Sequence, residues 1–146
     1  MMRSSPKITR VQLKVNQNYE SVLVGIVSAE PDYKLSLSIN KKLKISLKNS
    51  GPILVPDEHG TEIAFSRFSD NSSDKGTCEL ISNRVEKNFL IKKLKNIDFI
   101  FQIHNAGNTK ASDTFISLLR VTESVTAVFT IDLKSLKDKN LHYIIQ

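Results

Sequence analysis

From Ile97 to Ile103 the chain reads Ile-Asp-Phe-Ile-Phe-Gln-Ile, with Ile97, Phe99, Phe101 and Ile103 at every second position. Side chains two apart on a strand share a face, so this spacing puts four large apolar groups on one side of a β-strand. Burying each is worth roughly 1.5–3 kcal/mol, enough to commit the segment to a core. Asp98 falls on the opposite side, where a capping or lysine-paired carboxylate is a better reading than a catalytic one.

Other segments supply partners for that strand. Ser21-Val-Leu-Val-Gly-Ile-Val-Ser28 is a continuous β-branched run, the pattern of a strand buried on both faces. Gly25 inside it signals a close approach of a helix or a bulge. Val11, Leu13 and Val15 alternate as in a half-buried strand. Ile63–Phe68 and Thr77–Ser82 read as a hairpin joined by the polar turn Asp70–Gly76, and Val125–Ile131 reads as a further core strand. Thr109 or Ser112 can N-cap a helix with Phe115, Leu118, Leu119 and Thr122 along its inner side. Asp132 can cap a short turn over Leu133–Lys137, and Leu141–Ile145 suits an edge strand.

Residues 30–47 stay open on pattern alone. Tyr33, Leu35, Leu37 and Ile39 alternate as in a strand, while Leu35, Ile39 and Leu43 make a helical stripe. Glu30-Pro-Asp32 is a helix-start signal, with acids and Pro at the positive end.

Hairpins outnumber βαβ crossovers in this order. The expected fold is α+β, a mainly antiparallel sheet of about five to seven strands with two helices packed on one face. At 146 residues, a single domain over residues 1–146 is expected, with about residues 1–7 disordered. A single cysteine, Cys78, precludes an intrachain disulfide and any multi-cysteine metal site, and it fits a reducing compartment. Its mid-strand position alternates with Leu80, so it reads as a small core hydrophobe rather than a nucleophile. The first ten residues carry charge without a following apolar segment, and no run approaches a membrane span. The expected location is the cytoplasm, with no membrane contact.

The net charge is +6, and its placement is uneven. Arg3, Lys7, Arg10 and Lys14 form one basic block; Lys34, Lys41, Lys42, Lys44 and Lys48 a second; Arg84, Lys87, Lys92, Lys93 and Lys95 a third. Between the second and third lie Asp57, Glu58, Glu62, Asp70, Asp74 and Glu79. A dipolar surface of this kind suits a protein partner. It also leaves RNA or ribosome association as an alternative, provided the blocks converge on one face.

Catalytic signatures are lacking. His59, His104 and His142 have no ligand spacing, no serine sits in a Gly-X-Ser-X-Gly elbow, and phosphate-loop, dinucleotide and EF-hand spacings are absent. An enzyme reading falls back on Asp98, His104 and Asp57 gathered from distant segments. No cofactor and no metal is expected. The reading is therefore a non-catalytic binding or regulatory protein, acting through a protein partner or by self-association. Lys92, Lys93, Lys95, Lys41 and Lys42 are the candidate contact residues.

The stretch Ile91-Lys-Lys-Leu-Lys-Asn-Ile-Asp-Phe99 resembles the motif of the IPExxxVDY family, small proteins from Bacteroidetes. Ile91, Ile97, Asp98 and Phe99 carry the match, whereas Lys92 and Lys93 stand where the motif has Pro and Glu. Leu23-Val-Gly-Ile26, Asp32-Tyr-Lys-Leu35, Ile39-Asn40, Leu80-Ile-Ser-Asn83, Thr126–Ile131 and Leu136–Leu141 agree in order, so the resemblance runs from about Tyr19 onward. It implies a helix to about Lys42 followed by a short strand through Ile45 and Leu47. It brings no activity, cofactor or site residue.

Overall fold

The computed structural model describes residues 21–71, 77–104 and 109–144. The expected strand at Val11–Val15, the first basic block and residues 1–7 lie outside these. The fold is α+β. A six-stranded antiparallel sheet has the spatial order β10-β1-β9-β6-β5-β2, formed by Ala127–Ile131, Val22–Val27, Phe99–Ile103, Cys78–Ser82, Arg67–Asp70 and Lys48–Asn49. Helices α1 (Asp32–Leu43) and α2 (Thr109–Arg120) accompany it, with the hairpins β3–β4 (Ile53–Pro56, Glu62–Phe65) and β7–β8 (Arg84–Val85, Asn88–Phe89).

Alternation along β1 separates two cores. Val24 and Ile26 join Phe99, Phe101, Ile103, Leu80 and Cys78 on one face, closed by Leu35, Ile39 and Leu43 of α1 and by Phe115 and Leu119 of α2. Leu23 and Ile100 face the other way, into a second core with Ile53, Val55, Phe65, Leu90, Ile91 and Ile97. Strand β9 is buried at every position, because both faces of the sheet are covered.

Helix α1 resolves the open reading of residues 32–43. Its buried positions Leu35, Ile39 and Leu43 follow the helical period, and the alternating Tyr33 and Leu37 point outward at 57% and 64% exposure. Pro31 sits at the N-cap in extended backbone. Lys44 ends the helix in the left-handed region (φ 59°), and Lys41 and Lys42 in the last turn oppose the negative end of its dipole.

Six expectations require correction. Ile97 does not share a face with Phe99. Two successive turns, closed by Leu94 N–H to Ile91 O (3.0 Å) and Ile97 N–H to Leu94 O (3.2 Å), carry it onto the other side, and alternation starts only at Phe99. Gly25 marks neither a helix contact nor a bulge: its register with Ile100 and Phe129 is unbroken, and a Cβ there would meet Ile97 Cδ1 at 2.8 Å. The 63–68 strand breaks at Ser66 into β4, which pairs with β3, and β5, which pairs with β6. No strand runs through Ile45 and Leu47. Asn40 takes both backbone groups of Leu47, donating to its O (3.1 Å) and accepting from its N–H (2.7 Å), so the pairing begins at Lys48. The Leu141–Ile145 edge strand is a 3₁₀ turn over Leu141–Tyr143 instead, with Leu141, Tyr143 and Ile144 packed on the second core.

Ser112 is likewise not an N-cap, since it lies inside α2 and is buried. Asp132 does cap the turn after β10, accepting from Lys134 N–H at 3.0 Å.

Candidate functional site

The second face is closed by turns rather than helices. Turns leave backbone groups unpaired, and burying them demands partners. Asn83, fully buried at the end of β6, supplies these. Its Nδ2 donates to Leu94 O (2.9 Å) and Ile97 O (3.0 Å), and its Oδ1 accepts from Ile91 N–H (2.8 Å). Its own backbone accepts from Leu90 N–H (2.7 Å) and donates to Asp98 O (2.9 Å). Asn140, also buried, donates Nδ2 to Leu90 O at 2.7 Å and ties the C-terminal tail to the same segment. Thus Leu90, Ile91 and Ile97 are locked inward, while Lys92, Lys93 and Lys95 remain exposed.

Beside these turns lies a groove of about 910 Å³. Val55, Ile63, Phe65, Phe89 and Tyr143 give it an apolar lining, and Lys87, Lys92, Lys95 and Lys139 give it four ammonium groups. Among the described residues, none of the four has a carboxylate within 4.0 Å; the ion pairs are Lys34–Glu30, Arg84–Asp98 and His104–Glu79. Asp57, Glu58 and His59 of the β3–β4 turn also line the groove. Asp57 is occupied in the turn itself, its Oδ1 accepting from His59 N–H (2.8 Å) and Thr61 N–H (2.9 Å).

A second cavity of about 520 Å³ lies where β1 ends and β9 begins, lined by Glu30, Asp32, Glu86, Asp98 and Arg84 among others. The Asp98 carboxylate accepts from Ser28 N–H at 3.0 Å through Oδ2 and sits 3.7 Å from Arg84 through Oδ1. It is a capping and ion-paired group, but its partner is an arginine and not the expected lysine.

His104 lines neither cavity; its Nε2 is 3.3 Å from Glu79 and its Nδ1 3.4 Å from Ser21 Oγ. Burial works against the charge of Glu79. Hydrogen bonds with His104 and Ser69, and the charges of His104 and Arg67, outweigh burial and hold its carboxyl below the ordinary value. Asp98, His104 and Asp57 therefore lie in three separate places and do not form one constellation. Burial first, and then the charge of Asp70, push the Cys78 thiol up to about 12, so it carries no thiolate near neutral pH. Among the described residues no group of three or more His, Cys, Asp or Glu side chains could hold a metal ion, and no helix is long and apolar enough to cross a membrane.

Of the candidate contact residues, Lys92 and Lys95 share the groove. Lys93 is exposed but does not line it. Lys41 and Lys42 are exposed on α1, across the sheet, so these two do not join Lys92 and Lys95 at the groove. Sequence reasoning missed Phe89, Lys139 and Tyr143, which reach the groove from separate segments without a shared local pattern. It also missed the roles of Asn83 and Asn140. A signal for Asn83 existed: a lone amide directly after an apolar strand end, before a turn.

No protein-family model matches the chain, and no curated protein sequence or solved structure matches it either.

Proposed function

We propose that this chain is a binding module that takes an extended acidic segment of a partner protein, interspersed with apolar residues, in the groove beside the 90–97 turns. The observation that carries this is the combination of four unpaired ammonium groups with an apolar floor. Carboxylates on a partner would meet the lysines while its apolar side chains cover the half-buried Ile63, Phe89 and Tyr143, and the lysines would speed encounter through long-range attraction. The resemblance to the IPExxxVDY family rests on the residues quoted above. Within the proposal, Lys92 has a use that the family's Pro lacks: it contributes a cation to the groove.

RNA association draws on the same lysines. A peptide is favoured because its carboxylates, separated by apolar residues, can be kept clear of Asp57 and Glu58 in the groove, which a continuous phosphate backbone cannot do, and because Lys41 and Lys42 lie across the sheet. Fluorescence anisotropy with a labelled peptide alternating Glu with Leu and Phe tests the reading against a labelled RNA hairpin. Saturable peptide binding that weakens with salt, with NMR shifts confined to residues 87–95, 139–143 and 55–65, supports it. Binding of the hairpin alone, with a steep salt dependence, would replace it with the RNA reading.

A further inference from the structure

The two edges of the six-stranded sheet are not alike. At one edge, β2 has only two residues, and one of them is Lys48. A short strand bearing a lysine is an ordinary way of keeping an edge from pairing with other chains. At the other edge, β10 runs five residues, Ala-Val-Phe-Thr-Ile, without a charge, a proline or a bulge in its register with β1. Among the described residues β10 pairs only with β1, and none of them forms a strand along its outer row of backbone groups. Phe129, in the middle, is 52% exposed, one of few large apolar side chains left so open. Its cross-strand neighbour is Gly25, which offers no side chain to cover the ring.

We propose that two copies of this chain associate through β10, pairing antiparallel about Phe129 so that the two sheets become one. The occupant is a second copy because the strand is self-complementary. Antiparallel pairing centred on Phe129 sets Phe129 against its counterpart, Val128 against Thr130 and Ala127 against Ile131. Opposed apolar and β-branched side chains of this kind stabilise strand pairs. Each copy carries a net charge of +6, so a self-contact needs a stretch that opposes no like charges, and β10 is uncharged throughout. Because β2 cannot serve as a second pairing edge, association stops at a closed two-fold dimer and does not run on into a filament.

Sedimentation equilibrium and concentration-dependent hydrogen exchange on the full chain test this. The mass should rise with concentration from 16.4 kDa towards twice that value. Amides of β10 that face away from β1 should gain protection over the same range. Phe129→Lys places two ammonium groups opposite each other and should weaken the dimer by about tenfold or more. Its thermal midpoint at a concentration where the chain is monomeric should stay near wild type, because the ring is half exposed. Thr130→Ser, which keeps the backbone pairing, should leave the dimer in place. A wild-type chain that stays at the single-chain mass up to about 200 µM, a concentration reached by weak transient pairs, would overturn the proposal. So would a dimer indifferent to Phe129→Lys, or one whose β10 amides exchange at the monomer rate.

Discussion

The two faces of the sheet are covered by different materials, and the difference decides where a binding site can form. On the first face, α1 and α2 satisfy their own backbone groups, so Leu35, Ile39, Leu43, Phe115 and Leu119 need only fill space. On the second, turns, a hairpin and the tail do the covering, and buried amides must bond their backbone: Asn83 for residues 91–97, and Asn140 for Leu90. A cover of short pieces fits less continuously than a helix. It leaves the 910 Å³ groove beside it, rimmed by turn lysines that have nowhere to be buried. On the proposed reading, the helical face contributes stability and the face closed by turns contributes the binding surface.

The largest break in this comparison should come from Asn83. Asn83→Leu keeps the number of side-chain atoms but removes three hydrogen bonds; Leu94 O still accepts from Ile97 N–H, while Ile91 N–H and Ile97 O are left without the amide. Chemical denaturation should show a loss of about 3 kcal/mol or more. Hydrogen exchange should open at Ile91, Leu94 and Ile97 before it opens in α1. Equal loosening on both faces would contradict the distinction between the covers.

Gly25→Ala comes next. A Cβ at that position would meet Ile97 Cδ1 at 2.8 Å, Cγ1 at 3.1 Å and Cγ2 at 3.2 Å, so the turn cover must shift, at a cost of about 1–3 kcal/mol. Ile97→Val removes the nearest carbon. In a double-mutant cycle the pair should be less destabilised than the two single changes added together. Additive effects would place the strain elsewhere.

Gln102 tests the second face in the opposite direction. It is fully buried on β9, and among the described residues neither its Nε2 nor its Oε1 has a hydrogen-bond partner. Gln102→Leu, of similar volume, removes two unsatisfied polar atoms and should raise stability by about 1–2 kcal/mol in the same denaturation assay. A loss would show that the amide is satisfied in solution.

The smallest effect concerns the turn lysines. Lys92 occupies the second position of the turn closed by Leu94 N–H to Ile91 O, where proline's fixed φ is compatible and no donor is required. Lys92→Pro with Lys93→Glu should therefore raise the thermal midpoint slightly, by roughly 0.4–1 kcal/mol of stability. The same change should weaken binding of an acidic peptide. A drop in stability would remove the structural reading of this turn; unchanged binding would remove Lys92 from the site.

Much of the first face was legible in the sequence and little of the second. Period-2 and helical patterns report burial against a regular partner, which is why Phe99, Phe101, Ile103, Leu35 and Phe115 could be read correctly. Ile97 misled because alternation says nothing about a turn that rotates one residue out of phase. Asn83 and Asn140 act on segments distant in sequence, with their bonds at separations of 8–14 and 50 residues. The local pattern around Asn83 marks a buried amide but does not encode which segments it bonds. The groove was half visible: Lys87, Lys92 and Lys95 stand in one basic block, but Phe89, Lys139 and Tyr143 join them only through the fold.

The most direct test sets the two faces against each other by charge. Lys92→Glu with Lys95→Glu reverses the groove, and Lys41→Glu with Lys42→Glu makes the same change in net charge on α1. If the groove is the site, affinity for the labelled acidic peptide at moderate salt should fall by about tenfold or more in the first variant and by no more than about twofold in the second. Equal losses in the two would mean that the peptide responds only to net charge, and the groove would no longer be the binding site.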